Sequence, residues 1–349
     1  MRYGVAALIV VGCYNPQLHP GSPCSDTLPC PDGLVCAPAT STCELTLGDS
    51  GVSDGVDAEI LIDGCTPSPE ICGNGIDEDC NGTDPACLAN DIPSGAIDIS
   101  TGGDFSADMR YATDDAQKPN SGPAFCGSTG GRDIYYKIHV SNDEAYYLDT
   151  FGSDFDSVIR VFHGPCINGA APAMGATQCH NDSCSTKQTQ GIWDLQSGDS
   201  CVVIDQFSSS ETNGMLKLHV ERGHRSGLDA QATVTGDTTA EANQTTPPCV
   251  PVSAPDVGYY FTGCPGDVQT VTATTCNATT LFDTSLYARS YPAGTLVGLA
   301  CNDDDAACVA NNGASSISFT ANGAHMFWII MDGGSDGAAG PFEVDMTFN

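Results

Sequence analysis

The chain is poor in positive charge. Its 349 residues carry 11 Lys and Arg against 44 Asp and Glu, a formal net charge of −33. Affinity for a phosphate backbone comes mainly from Lys and Arg, so this balance argues against nucleic acid as a partner. No apolar run reaches the roughly 20 residues that a transmembrane helix needs. Helical periodicity is essentially absent. The seven histidines show no His-Glu-x-x-His or other close ligand spacing, so a catalytic zinc is not expected. Gly-rich phosphate loops are missing. Trp193 and Trp328 are isolated, and read as core or strand residues rather than a sugar-stacking platform. His139 and His219 fall in strand patterns and read as solvent-facing or satisfied.

One stretch imitates a catalytic motif. Gly333-Gly334-Ser335-Asp336-Gly337 has the letters of a nucleophile elbow and follows a strand pattern. An elbow must lead into a helix, whereas Ala338-Ala339-Gly340-Pro341 leads into a final strand. No catalytic residue is assigned, and the chain reads as a non-enzyme.

What the chain has in abundance is aspartate and cysteine. Of the 44 acidic residues, 35 are Asp. Asp forms turns and ligates metals, whereas Glu favours helices. An Asp-, Gly- and Thr-rich chain therefore points to β-sheet with long loops. Such charge repels itself unless counter-ions sit among the loops. At 40% hydrophobic residues the chain can build more than one core, with about 100–150 residues in a typical domain.

The N-terminus runs Met1-Arg2-Tyr3, then Gly4 to Val11 without a charge, then Gly12-Cys13. Val10-Val11-Gly12-Cys13 resembles the lipobox of bacterial lipoprotein signal peptides, in which the cysteine becomes the lipid-modified first residue of the mature protein. The resemblance implies a signal peptide over residues 1–13 and a membrane anchor on Cys13. By the same resemblance, Tyr14 in place of Asp implies the outer membrane. The other reading of this run is a buried strand. Setting Cys13 aside, the nineteen cysteines become an even eighteen. That number is compatible with disulfide pairing outside the cytoplasm.

Residues 14–43 contain Cys24-x5-Cys30-x5-Cys36-x6-Cys43. So short a segment cannot bury a core, and it lacks Cys-x-x-Cys pairs and histidine, so the spacing predicts a disulfide knot rather than a zinc site. Residues 44–64 are rich in Asp, Gly and Ser and read as a flexible acidic tether. Residues 65–88 hold Cys65 and the run Glu70-Ile71-Cys72-Gly73-Asn74-Gly75-Ile76-Asp77-Glu78-Asp79-Cys80-Asn81-Gly82-Thr83-Asp84-Pro85-Ala86-Cys87. This run resembles the tail of a metal-binding motif repeated in many bacterial surface lipoproteins. Asp77, Asp79 and Asn81 alternate, and Gly82 permits a sharp turn, as in the first half of an EF-hand-type Ca2+ loop. Asp84 offers a further oxygen. The twelfth loop position is Leu88, where a bidentate Glu belongs, so Ca2+ here needs a carboxylate from elsewhere. The alternative is an Asp/Asn-rich turn clipped between disulfides.

The remainder is an internal repeat, residues 89–222 and 228–349, joined by a linker at 223–227. Cys126, Asp133 and Tyr135-Tyr136 correspond to Cys249, Asp256 and Tyr259-Tyr260. Phe155-Asp156-Ser157 corresponds to Phe282-Asp283-Thr284, and Cys179-His180-Asn181-Asp182 to Cys301-Asn302-Asp303-Asp304. Cys201 to Asp205 corresponds to Trp328 to Asp332, followed in each copy by a turn and an alternating strand. Short strands between turn residues predict a β-sandwich. The expected fold class is all-β: two tandem jelly-roll-like β-sandwiches preceded by small disulfide-rich elements. The landmark order resembles the bacterial pre-peptidase C-terminal domain family, a small jelly-roll-like sandwich found on secreted proteins. That resemblance implies an extracellular protein or polysaccharide ligand. It also leaves open an accessory role in a secreted peptidase or hydrolase system, although the modules leave few residues over for the peptidase itself.

Two cysteine pairs, Cys179–Cys184 and Cys301–Cys308, bracket loops short enough to close as local disulfides. Cys126, Cys166 and Cys201 then remain in one copy, and Cys249, Cys264 and Cys276 in the other. Odd numbers imply one bridge between modules or unpaired thiols. Asn302, Asp303, Asp304 and Asp305 place four oxygen-bearing side chains in one loop, a ligand set suited to Ca2+. Asn181-Asp182 is a poorer version. Asp154, Asp156 and Asp283 are further candidates near strand starts. Against that, Asp133, Asp156, Asp256 and Asp283 read more simply as turn caps.

Overall fold

Strand-forming segments rich in Val, Ile, Tyr and Phe, separated by Gly and Asx turns, become twenty β-strands among the described residues of a computed structural model. It describes residues 24, 25, 30, 34–37, 41–45, 67, 68, 70–114, 126, 130–167, 176–223, 228–290, 297–309 and 313–349. The lipobox cysteine Cys13, Cys65, residues 46–64 of the expected tether and residues 224–227 of the linker lie outside the described residues. The chain forms two compact units, Met1–Ile60 and Leu61–Asn349.

In the first unit, β1 (Leu34–Ala37) and β2 (Thr42–Leu45) pair as an antiparallel hairpin. Disulfides Cys24–Cys36 and Cys30–Cys43 tie it, so all four cysteines of the cluster pair with one another. Cross-links are what such a segment needs, because below about 40 residues an apolar core alone rarely suffices.

The second unit contains two sandwiches of nine strands each. The first is built from β3 (Ile97–Asp98), β4 (Gly103–Asp108), β5 (Asp133–Val140), β6 (Glu144–Asp149), β7 (Ser157–His163), β8 (Ala176–Asn181), β9 (Gln190–Leu195), β10 (Gly198–Gln206) and β11 (Met215–Arg222). The second is built from β12 (Leu228–Asp229), β13 (Thr233–Asp237), β14 (Val257–Thr262), β15 (Val268–Thr274), β16 (Thr284–Ser290), β17 (Val297–Asn302), β18 (Ser316–Asn322), β19 (Met326–Gly333) and β20 (Pro341–Phe348). Strand order in the first is β3-β5-β10-β7-β8 over β4-β11-β6-β9. In the second it is β12-β14-β19-β16-β17 over β13-β20-β15-β18, the same order position by position. Leaving aside the short parallel strands β3 and β12, eight antiparallel strands interleave between two sheets, which is a jelly roll.

Each sandwich has its own core. Tyr136, Ile159 and Val202 from one sheet meet Trp193, Leu216 and Leu218 from the other in the first copy. Tyr259, Leu286 and Ile329 meet Val271, Phe319 and Phe342 in the second. Trp193 is buried in the first core and Trp328 is buried on β19, the core or strand placement expected for them. Buried hydroxyl pairs recur at matched sites: Thr150 Oγ1 lies 2.6 Å from Ser157 Oγ, and Thr275 Oγ1 lies 2.8 Å from Thr284 Oγ1.

Not every strand has only one buried face. β6 and β19 are buried at every position. Their outward faces meet: Ala145 and Tyr147 pack with Tyr260, Tyr287, Met326, Trp328 and Ile330 in a third cluster between the sandwiches. A strand covered on both sides reads as a continuous apolar run rather than an alternating one. Met326-Phe327-Trp328-Ile329-Ile330-Met331 is such a run.

The cysteine pairing corrects the local-loop expectation. Cys179 pairs with Cys126 and Cys301 with Cys249, the same bridge in both copies. Cys308 pairs with Cys276, Cys166 with Cys201, and Cys184 crosses to Cys264 of the other sandwich. Neither Cys179–Cys184 nor Cys301–Cys308 forms. Nearness along the chain makes a loop closable, but a bridge also requires converging Cα–Cβ vectors. Here the first cysteine of each pair sits on a strand and the second beyond the following turn, each directed to a different neighbour. The crossing bridge is the link between modules that the odd cysteine counts implied. With Cys72–Cys87 and the disulfide-bonded Cys80, the framework places the chain outside the cytoplasm. Among the described residues no helix is long and apolar enough to cross a membrane.

Candidate functional site

Three polar constellations stand out in the second unit. The first is the Asp-rich turn at 70–87. Asp77 accepts from the backbone N–H groups of Asn81 and Gly82, at 3.0 and 2.7 Å. Asp79 accepts from the Asn81 backbone and side-chain amides, at 3.1 and 2.8 Å. Gly82 holds φ +92°, a left-handed conformation that an L side chain resists. Asp84 turns elsewhere, accepting from Gly73 and Gly75 N–H at 2.7 and 2.5 Å. Leu88 packs against the first sandwich core, so the twelfth loop position is structural.

The carboxylate that joins Asp77 and Asp79 is Glu70. One oxygen from each of the three lies within 4.8 Å of the others. Glu70 Oε2 accepts from Asp79 N–H at 3.0 Å, while Oε1 is buried and accepts no hydrogen bond. Desolvation pushes the Glu70 carboxyl above its ordinary value, and repulsion from Asp79, Glu78 and Asp77 adds to it, against the lowering N–H of Asp79. The group opens on a cleft of about 360 Å3 also lined by Arg110 and Arg132. Glu70 precedes the loop pattern by seven positions, so no local spacing marks it as a ligand.

The second constellation lies in the second sandwich, where the strand after Phe282 begins, and has its sequence counterpart in the first after Phe155. In the second copy Asp283 Oδ1 and Asp303 Oδ1 converge on Gly334: a Cβ built there would stand 2.4 and 2.7 Å from them. Asp303 Oδ1 is buried without a hydrogen bond. Burial pushes the Asp303 carboxyl up, reinforced by Asp283 and Asp304. Burial likewise raises Asp283, opposed by a hydrogen bond from Ser335 and reinforced by Asp304. Asn302 and Asp305 serve the loop itself: Asn302 Oδ1 accepts from Ser316 N–H at 3.0 Å and Asp305 Oδ1 from Ala307 N–H at 2.9 Å. Asp304 is exposed at the rim. In the first copy the matching atoms Asp156 Oδ1 and Asn181 Oδ1 are again buried without hydrogen bonds. There Lys187 Nζ lies 3.8 Å from Asp156 Oδ2, a cation that the described part of the second copy does not match. Phe207 takes the place of Gly334: its N–H bonds Asp156 O at 2.8 Å, as Gly334 N–H bonds Asp283 O at 2.9 Å.

The turn-cap reading holds for some of these aspartates and not for others. Asp256 Oδ2 accepts from Gln244 and Thr245 N–H, at 2.7 and 2.9 Å; Asp154, a candidate ligand by sequence, has Oδ1 accepting from Met215 N–H at 2.8 Å. Asp133 is fully buried at the start of β5. Asp283 instead converges with Asp303 beside Gly334, and Asp156 lies beside Lys187. Gly334→Ala is therefore expected to destabilise the second sandwich by about 1–3 kcal/mol, the usual cost of overpacking. A thermal melt of the variant beside wild type measures it, and an unchanged melt contradicts the convergence of Asp283 and Asp303.

The third constellation lies between the sandwiches and was not foreseen. His219 and Glu221 share one face of β11, and His325 comes from the turn before β19. Glu221 Oε1 lies 3.1 Å from His219 Nε2 and 2.5 Å from His325 Nδ1, and Oε2 accepts from Met326 N–H at 2.8 Å. His219 Nδ1 lies 2.6 Å from Asp104 Oδ1. Burial lowers the His219 pKa, but its bonds to Glu221 and Asp104 outweigh that and hold it at about 9. No short spacing could have revealed a group whose members stand 104 residues apart. Nearby, Gln190, His180, Tyr260 and Phe261 line an open groove of about 570 Å3 beside the Cys184–Cys264 bridge.

The elbow-like segment behaves as a turn. Gly333 ends β19, Asp336 Oδ1 accepts from Ser253 N–H at 2.8 Å, and Pro341 begins β20.

No family model matches this chain, and no curated protein matches it. Among solved structures it is similar to an Arthrobacter globiformis T6 isomalto-dextranase complexed with panose, at 10% identity and a TM-score of 0.19, over 61% of this chain and 34% of that one. It is similar also to PNGF-II, at 9% identity and a TM-score of 0.18, over 70% and 64% of the respective chains. The chain thus spans about a third of the first and under two thirds of the second. Likeness at this level carries no argument about function.

Proposed function

We propose that this is a non-catalytic, lipid-anchored protein of the outer membrane or cell surface. In this reading its β-sandwich modules are stabilised by calcium and bind an extracellular protein or polysaccharide. The observation that carries it is the convergence of Asp283 and Asp303 beside Gly334 in the second copy. Asp303 Oδ1 accepts no hydrogen bond there, nor do Asp156 Oδ1 and Asn181 Oδ1 in the first copy, and a hard cation that takes six to eight oxygens would satisfy such atoms. The Glu70, Asp77 and Asp79 group offers a third set of oxygens. A net charge of −33 adds a general reason for bound cations. The disulfide framework suits an exposed life in an oxidising compartment, and Cys13 supplies the anchor.

Melting the oxidised protein with Ca2+ and with EDTA tests the calcium half. At a hundredfold excess of Ca2+ over its dissociation constant, the gain is expected to be about 2.7 kcal/mol. Superimposable melts would return the aspartates to turn-forming duty. Labelling with radioactive fatty acid tests the anchor: wild type takes up label and Cys13→Ala does not. An unlabelled wild type ends the anchoring claim.

A further inference from the structure

We propose that His219, Glu221 and His325 form a transition-metal site at the seam between the sandwiches, taking Zn2+ or a similar divalent cation. Glu221 is fully buried, and its Oε2 is fixed by Met326 N–H at 2.8 Å, so Oε1 has a defined position. Both imidazoles aim a ring nitrogen at that single oxygen, from opposite modules, and the three ligand atoms lie within 4.8 Å of one another. A cation set among them closes to bonds of about 2.0–2.2 Å by small shifts of the two rings. It replaces any hydrogen on the nitrogens that face Glu221, which leaves as a proton to solvent or to the ring's other nitrogen.

The surroundings match what metal sites require. The other ring nitrogen of His219 is held by Asp104, a carboxylate–histidine arrangement that orients a ligating imidazole and raises its basicity. The His219 and His325 side chains are 18% and 32% exposed, which leaves access from solvent and room for a fourth ligand such as water. Two nitrogens and one oxygen suit Zn2+, Co2+ or Ni2+, whereas Ca2+ prefers oxygens alone. The site is separate from the aspartate loops. Its effect is to fasten β11 of one sandwich to the start of β19 of the other, adding a metal link to the Cys184–Cys264 bridge.

Titrating Co2+ into the oxidised protein in excess Ca2+ tests this directly. The expected result is one equivalent bound, with the visible absorption of a tetrahedral cobalt centre. Affinity should fall at least tenfold in His325→Ala, and about tenfold or more in Asp104→Ala, as for outer-shell partners elsewhere. Absence of that absorption in wild type, or an unchanged titration in His325→Ala, overturns the proposal. A measurement on wild type alone covers the case in which a variant misfolds. Zn2+ should protect His219 and His325 from diethyl pyrocarbonate while leaving His139, 64% exposed, reactive. Equal modification of His219 and His325 with and without Zn2+ would also overturn it.

Discussion

Arg160→Ala is expected to destabilise the first sandwich by about 3–5 kcal/mol, enough to unfold a marginal domain. Arg160 Nη1 meets Asp205 Oδ2 at 2.5 Å, and the two side chains are 2% and 0% exposed. They are diagonal neighbours on β7 and β10, Arg160 standing opposite Val203 and Asp205 opposite Val158. Removing the guanidinium takes the hydrogen-bonded cation away from a buried carboxylate, and that penalty exceeds the net worth of the pair. The second copy supplies an internal control. Tyr287 and Asp332 occupy the matching positions, with Tyr287 Oη donating to Asp332 Oδ2 at 3.1 Å and bonded also to Thr245 Oγ1. Tyr287→Phe is therefore expected to cost less, about 1–3 kcal/mol. Chemical denaturation of the two variants separates the cases; equal losses would contradict the assignment of a charge-dependent pair to the first copy alone. The exchange of Arg–Asp for Tyr–Asp at one position also marks it as structural.

The second large effect concerns the covalent tie between modules. Cys184 and Cys264 are 80 residues apart in sequence, and closing so long a loop is worth up to about 4 kcal/mol in the chain-entropy view. The Cys184→Ser/Cys264→Ser double variant should therefore melt earlier and as two transitions, because each sandwich keeps its own core. The cluster of Tyr147, Tyr260 and Trp328 still holds the seam, which limits the loss. Calorimetry measures both features. A single transition at the wild-type temperature would show that the bridge adds nothing to packing.

Much of the fold is legible in the sequence, for a definite reason. Period-two strands such as Met215–Arg222 and Pro341–Phe348 bury one face, and the repeat supplies each landmark twice. Cys126 and Cys249, and Cys179 and Cys301, align in sequence and then bridge alike in space. The pairing itself was not legible, because loop length carries no information about where a cysteine points. The seam was half legible: the unbroken apolar run at Met326 to Met331 signals burial on both faces without saying against what. The sites divide in the same way. Asp77, Asp79 and Asn81 keep together because their spacing is local, whereas Asp84 is drawn off to cap Gly73 and Gly75. Glu70, the Asp283–Asp303 convergence and the His219–Glu221–His325 group depend on tertiary contacts that no local pattern encodes.

Calorimetric titration of Ca2+ into the oxidised protein, beside Asp303→Asn, tests the central claim most directly. The account predicts saturable heat in wild type and weakened binding in the variant, since Asp303 lends its unbonded oxygen to the loop site. No heat in wild type would contradict it, and would leave two disulfide-held sandwiches whose aspartates only shape turns.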